Sequence, residues 1–224
     1  MKFVFRIIIS VVFFLFIYYF APLIISSSDL IRAIPGNTPL IFSEFCFLIF
    51  SLLFIALLSR FNFRNFGLKY VKIKHYWFPL VLVTIIYGGF LLFKIVFETS
   101  NSSQINISLF SLFLFYVLLP SLSEEIFIRG LIQSFLNPLK HFGFNIIKLR
   151  ISVPVLLSIV YFIILHVGAF TDLHGNLYFI FYFLGIAFVG FLAAIYREKT
   201  DSIIPGFMVH FVVNIFSIFI PSLI

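Results

Sequence analysis

The chain has 224 residues, of which 62% are hydrophobic and only 10% are charged. Soluble domains are about 45–50% apolar and about 25% charged. This composition therefore excludes a globular protein with a water-exposed surface. The formal net charge of +7 comes from Lys and Arg between apolar runs, which indicates orientation in a membrane and not nucleic-acid binding. A single cysteine, Cys46, excludes a disulfide framework and a cysteine-based metal site.

Apolar runs follow one another along the chain, each near the length of about 17–25 residues that crosses a hydrocarbon core as a helix. They cover residues 3–25, 39–58, 76–97, 107–136 with an interruption, 153–169, 177–196 and 202–223. A helix satisfies all of its own backbone hydrogen bonds inside lipid. The sequence therefore predicts an all-α polytopic membrane protein with about seven transmembrane helices, in a range of about six to eight.

Lys and Arg gather in the connections that follow the second, fourth and sixth runs. These connections hold Arg60, Arg64, Lys69, Lys72, Lys74, Lys140, Lys148, Arg150, Arg197 and Lys199, while the opposite connections hold only Arg32. By the positive-inside rule, we expect a multi-pass protein of the cell membrane with a cytoplasmic N-terminus. No linker or internal repeat divides the chain, so residues 1–224 are expected to form a single membrane domain.

A pair of acidic residues lies in the fourth run, where an ionisable group costs at least about 2.5–3.5 kcal/mol and is a functional candidate by default. Pro120 precedes the pair, and we expect it to break the helix. A following serine would then cap a second half-helix, with Glu124 and Glu125 in its first turn. Glu125 and Arg129 are four residues apart and should form an ion pair, which leaves Glu124 aimed elsewhere and available as a base.

Two histidines in later runs complete the set of polar residues at membrane depth. Phe162 and His166 share one helix face, and so do His210 and Asn214. At about 1.5 Å per residue, His210 lies about 12 Å and His166 about 18–20 Å from the cytoplasmic ends of their runs. Glu124 lies about 25 Å from the external end of its run. The three side chains can therefore share one layer of the membrane.

These side chains allow more than one chemistry. A glutamate and a histidine in a small wet cavity can deprotonate a water, while a second histidine and an asparagine can stabilise an oxyanion. Two histidines and a glutamate with an open position also form a known zinc set, here Glu124, His166 and His210. A buried ion-pair lock is a third interpretation, and a transporter relay through Glu44, Lys94 and the glutamate pair is a fourth.

The segments Glu124-Glu125-x-x-x-Arg129, Phe162-x-x-x-His166 and His210-x-x-x-Asn214 resemble, in order and spacing, the signatures of the CAAX protease and bacteriocin-processing family, also called the Abi family. The resemblance implies a CAAX-protease-like helical bundle with a motif-bearing core at about residues 107–224. It also implies an intramembrane endopeptidase that acts on a membrane-embedded, prenylated or otherwise hydrophobic peptide. A non-catalytic immunity or regulatory scaffold of the same family is the alternative.

The same resemblance assigns roles to the residues of the three segments. It implies that Glu124 is the base and His166 its partner on the water. It makes His210 and Asn214 the oxyanion stabilisers or, with zinc bound, metal-site residues. Glu125, Arg129 and Phe162 would support the site. Relatives that cut CAAX proteins are usually drawn with eight spans, so the register of the N-terminal helices is the point at which this chain departs from the pattern.

Overall fold

The structure is a computed structural model that describes residues 2–27, 38–97, 108–146, 149–167 and 176–220. This part of the chain is mostly helical and contains seven long helices. They are α1 (Lys2–Ser27), α2 (Thr38–Ser59), α3 (Trp77–Phe97), α4 (Leu109–Leu139), α5 (Val153–Leu165), α6 (Asn176–Thr200) and α7 (Ile204–Phe219). Each of the predicted apolar runs coincides with one helix, although the ends of the fifth and seventh runs fall outside the described residues.

Among the described residues, three segments are long and apolar enough to cross a membrane, namely Phe3–Phe20, Pro39–Ser59 and Leu109–Leu139. Shorter apolar helices accompany them at Trp77–Leu92, Val153–Leu165 and Ile204–Phe219. On α2, exposed apolar side chains recur every four residues and so form one stripe: Phe45, Ile49, Leu53 and Leu57. An apolar stripe of this kind is suited to lipid. These features confirm the class of an all-α membrane protein.

The fourth helix passes straight through Pro120, so the predicted break is wrong. A π-helical stretch, Phe113–Leu118, stands directly before the α-helical segment Leu119–Glu125. Because a π turn is wider than an α turn, it leaves space for the proline ring. The backbone N–H that proline lacks is not required as a hydrogen-bond donor there. The hydroxyl of Ser121 donates to the Val117 carbonyl at 2.6 Å instead of capping a new helix.

The glutamate pair consequently lies inside a continuous helix and not in a first turn. Directly after Glu125, a second π-helical stretch covers Ile126–Gln133. The segment that carries Glu124 and Glu125 is thus a short α-helical piece between two π-helical pieces.

The connection between α4 and α5 departs from the all-α prediction. It holds an antiparallel pair of short strands, β1 (Gly143–Ile146) and β2 (Leu149–Ser152), with Gly143 opposite Ser152. The strands are too short to be visible as apolar runs. Ser152 then ends the pair and caps α5, because its hydroxyl accepts a hydrogen bond from the Val155 N–H at 3.3 Å.

α4 is the central helix of the bundle, and aromatic side chains from several helices pack on it. Phe127 of α4 is fully buried and stacks on Phe14 of α1 and on Phe47 of α2, with ring centroids 5.7 and 5.4 Å apart. Phe14 also stacks on Tyr161 of α5 at 4.8 Å. The N-terminal helices are therefore packed around the helix that carries the acidic pair.

Polar contacts join the start of α1, the end of α4 and the end of α6 at one end of the bundle. Arg6 donates to the Phe135 carbonyl at 2.7 Å, and Arg197 donates to the Ser134 hydroxyl at 2.7 Å. Because the basic connections identified in the sequence also lie at these helix ends, this is the basic end of the molecule.

Candidate active site

Three consecutive polar residues of α4 are buried and face three different helices. Successive side chains of an α-helix are about 100° apart. Ser123 faces α2, Glu124 faces the end of α5, and Glu125 faces α7. α4 therefore brings polar groups of the N-terminal and C-terminal helices to one place.

Glu124 lies opposite His166, with its Oε2 atom 3.6 Å from the histidine Nε2 atom. His166 directly follows Leu165, the last residue of α5. The His166 Nδ1 atom is 2.9 Å from the Phe162 carbonyl oxygen. A carbonyl oxygen only accepts, so Nδ1 carries the proton, and in the neutral ring Nε2 presents a lone pair toward Glu124.

The ion pair predicted between Glu125 and Arg129 is present, with Oε1 and Nη1 3.0 Å apart and both side chains fully buried. Arg129 also donates from Nη2 to the Gly190 carbonyl at 3.2 Å. Its guanidinium lies 4.2 Å from the centroid of the Phe162 ring. On the other side of the pair, Glu125 Oε1 is 3.6 Å from His210 Nδ1. Glu125 thus contacts both a fixed positive charge and a titratable ring.

Phe162 packs against both imidazoles. Its ring centroid is 4.6 Å from that of His166 and 5.4 Å from that of His210, in an edge-on arrangement with the latter. The two imidazole centroids are 6.4 Å apart. Phe162 therefore supports both rings and the guanidinium at once.

Two glycines give this cluster its space. A Cβ atom at Gly206 of α7 would overlap the Glu125 carboxylate, and one at Gly190 of α6 would lie 3.0 Å from Phe162 Cδ1. Neither glycine belongs to the three motif segments. The only local signal for Gly206 is its position after Pro205 at the start of an apolar run.

Asn214 lies one turn beyond His210 on α7 and is half-buried. Its Nδ2 atom donates to the Ser121 hydroxyl of α4 at 3.0 Å. The asparagine is therefore tied to the acid-bearing helix, and its amide nitrogen still carries a second N–H.

The ligand atoms of Glu124, His166 and His210 all lie within 4.8 Å of one another. Within the described part of the chain, Glu124 Oε2, Glu125 Oε2 and His210 Nδ1 are buried without a hydrogen-bond partner, since the approaches of Glu124 to His166 and of His210 to Glu125 are 3.6 Å long. Buried polar atoms of natural proteins are nearly always paired, so a group of unpaired atoms indicates a place for water, an ion or substrate. The open carboxylate and imidazole atoms also fit a zinc ion by donor type.

Glu44 is the polar neighbour that the sequence interpretation left outside the site. It lies on α2, is buried, and accepts a hydrogen bond from the Ser123 hydroxyl. The partner is 79 residues away, so no local spacing reveals the contact, and a glutamate within an apolar run was the one signal. Lys94, the other residue of the transporter interpretation, has its side chain outside the described residues.

The polar cluster lies in a part of the chain that matches a known protein family. Residues 106–216 match the family model described as type II CAAX prenyl endopeptidase Rce1-like. The match covers close to half of the chain and contains all three motif segments. Comparison with curated proteins and with solved structures found no match. The resemblance to the CAAX protease family is thereby confirmed, and residues 106–216 are similar to the Rce1-like family of type II CAAX prenyl endopeptidases.

Proposed function

We propose that this protein is an intramembrane endopeptidase that hydrolyses a peptide bond of a membrane-embedded or lipidated protein with water activated between Glu124 and His166. The convergence of Glu124, His166 and His210 within 4.8 Å carries the proposal. Glu124 Oε2 is buried without a hydrogen-bond partner and lies 3.6 Å from His166 Nε2. A buried ion-pair lock between helices would leave this carboxylate oxygen hydrogen-bonded, so its open valence favours a site that takes up water or substrate.

In the proposed mechanism, Glu124 takes a proton from a water that also hydrogen-bonds to the Nε2 lone pair of His166. The water oxygen attacks the carbonyl carbon of the scissile amide, and the carbonyl oxygen becomes an oxyanion. N–H groups of His210 and Asn214 stabilise that oxyanion. Glu124 then passes its proton to the departing amine, so the C–N bond breaks and a carboxylic acid and an amine are released.

The remaining residues hold these groups in place. The Arg129 guanidinium neutralises Glu125 and is fixed by the Phe162 ring and the Gly190 carbonyl. Glu125 in turn lies next to the His210 ring. In this proposal Glu125, Arg129 and Phe162 position the two imidazoles and contact no substrate.

The same donor set allows a zinc-dependent variant of the proposal. Glu124, His166 and His210 would hold the ion, which supplies Lewis-acid polarisation of a bound oxygen. In that variant Asn214 keeps its role beside the oxyanion.

We place the basic end of the bundle at the cytoplasmic face of the cell membrane, in agreement with the positive-inside rule. The N-terminus is then cytoplasmic, and the site lies in the inner part of the bilayer. A substrate segment that is itself held in the membrane by a prenyl chain or an apolar helix reaches this depth without leaving lipid.

The proposal is tested with the purified full chain in liposomes and two peptides of the same CAAX-type sequence, one prenylated and one not. We expect cleavage of the prenylated peptide, because its lipid holds it at the membrane, and little cleavage of the unmodified one. Mass spectrometry of the products identifies the bond. A chelator that stops cleavage, with recovery on zinc addition, would select the zinc variant; unchanged cleavage would select glutamate chemistry.

The non-catalytic scaffold is the outcome that opposes the proposal. It requires that neither peptide is cut and that the triple variant Glu124→Gln, His166→Ala and His210→Ala keeps the cellular phenotype of the wild type. Loss of the phenotype in the triple variant together with peptide cleavage by the wild type supports the peptidase.

A further inference from the structure

The segment that carries Glu124 is a short α-helical piece between two π-helical pieces. Leu119–Glu125 follows the π-helical Phe113–Leu118 and precedes the π-helical Ile126–Gln133. A π turn contains one residue more than an α turn, so the loss or gain of such a turn rotates the helix beyond it by about 100°. The direction in which Glu124 points therefore depends on contacts that fix the rotation of this segment.

Three neighbouring side chains supply contacts in three directions. Glu125 faces α7 and Glu124 faces the end of α5, but both are groups of the site itself, with open polar atoms. Ser123 is the one of the three whose side chain forms a hydrogen bond to a helix outside the site, because its hydroxyl donates to Glu44 of α2. The Ser121 hydroxyl of the same segment also accepts from another helix, but its partner Asn214 belongs to the site. Ser123 is fully buried and Glu44 is 7% exposed.

We infer that the hydrogen bond from Ser123 to Glu44 positions the catalytic carboxylate by holding Leu119–Glu125 at the rotation that points Glu124 toward His166. This inference rests on the proposed function and makes Glu44 a positioning residue for it. Glu44 lies outside residues 106–216, the part that matches the family. Besides packing against α4, the N-terminal helices thus contribute a specific hydrogen bond that positions Glu124.

The strength of the bond suits this role. A hydrogen bond between two buried groups is costly to lose, because the donor and the acceptor are then both unpaired away from water. A rotation of the segment would leave the Glu44 carboxyl group and the Ser123 hydroxyl without each other in an apolar surrounding, where an unpaired polar group is costly. The bond therefore penalises every other register of the segment.

The experiment compares the full chain in liposomes with the variants Ser123→Ala, Glu44→Ala and Glu44→Gln and with the double variant Ser123→Ala/Glu44→Ala. The substrate is the prenylated peptide that the wild type cleaves, and both kcat and KM are measured. Ser51→Ala is the matched control. Ser51 is a fully buried serine of α2, the helix that carries Glu44, and its hydroxyl has no hydrogen-bond partner among the described residues.

We expect Ser123→Ala and Glu44→Ala each to lower kcat by about 10- to 100-fold, as a small misplacement of a catalytic group does. KM should stay unchanged, since neither residue contacts substrate. The double variant should be no worse than either single variant, because one interaction is lost in all three. Glu44→Gln should recover most of the activity, since its carboxamide oxygen still accepts from Ser123, and Ser51→Ala should match the wild type.

The inference is overturned if Ser123→Ala keeps the wild-type kcat, or if the losses of the two single variants add in the double variant. Should Glu44→Ala fail to fold, Ser123→Ala and Glu44→Gln decide the question alone. Failure of the wild type to cleave any peptide would overturn the proposed function and this inference together. Cleavage by the wild type with an unaffected Ser123→Ala overturns the inference and leaves the proposed function standing.

Discussion

The first three helices and the last four are similarly apolar, but they differ in how much of their surface is buried and in how many polar side chains they bury. In the membrane-crossing segment of α1 only 17% of the residues are buried, and in that of α2 33%, against 61% in α4. Among the described residues, α1–α3 bury three polar side chains, Ser10, Glu44 and Ser51, whereas α4 alone buries six. α1 and α2 therefore leave most of their apolar surface exposed, which suits contact with lipid, while α4 is enclosed by other helices and carries most of the buried polar cluster.

The largest effects are expected where the enclosed polar atoms are removed. His166→Ala takes away the lone pair beside Glu124, and His210→Ala takes away an oxyanion donor, so each should lower kcat by about 100- to 10,000-fold. Thermal unfolding in detergent should change little. Steady-state kinetics on the prenylated peptide measure the effect, and a histidine variant with wild-type kcat would place the chemistry elsewhere.

Loss of the buried arginine should come next and should act on stability. Arg129→Met leaves Glu125 as an uncompensated buried charge, which costs about 3–5 kcal/mol of unfolding free energy. The double variant Arg129→Met/Glu125→Gln removes the charge as well and should regain much of the loss. Unfolding in detergent compares the two, and equal destabilisation of both would show that the pair does not act as a unit.

A smaller effect is expected from a methyl group placed in the site. Gly206→Ala collides with the Glu125 carboxylate, and overpacking of this kind costs about 1–3 kcal/mol. Activity should fall as well, because the displaced carboxylate lies beside His210. Gly89→Ala on α3 is the control, since its added Cβ meets nothing within 4 Å among the described residues. Equal stability and equal activity of the two variants would contradict the close packing at Gly206.

The smallest effect is expected for a hydrogen bond that joins the N-terminal helices to the later ones. Ser10 of α1 and Tyr161 of α5 share a buried hydrogen bond of 2.9 Å. Tyr161→Phe removes it and should cost about 1 kcal/mol of stability, while kcat stays at the wild-type value. Unfolding and kinetics of the same preparation test both statements. A loss of activity as large as that of the histidine variants would show that α1 takes part in the chemistry.

Much of the fold follows from the sequence because hydrocarbon thickness dictates the length of each apolar run. The helices accordingly begin and end close to the predicted limits. The spacing of Glu125 and Arg129 predicts their ion pair for the same kind of reason, since helix geometry places residues four apart on one face.

The parts that escaped prediction depend on contacts between distant residues or on irregular turns. Pro120 does not break α4, because a π turn accommodates it. A proline within an apolar run reads the same in the sequence whether it follows a π turn or ends a helix. The partner of Glu44 is 79 residues away. The strands Gly143–Ile146 and Leu149–Ser152 are too short to stand out among apolar runs.

The central claim is that the carboxylate of Glu124 activates the water that cuts the peptide. Glu124→Gln changes one oxygen to a nitrogen and keeps the shape of the side chain, so the variant should fold and unfold in detergent like the wild type. In liposomes with the prenylated peptide, we expect it to release no cleavage product above the uncatalysed background. Cleavage by a well-folded Glu124→Gln at the wild-type rate would contradict the account.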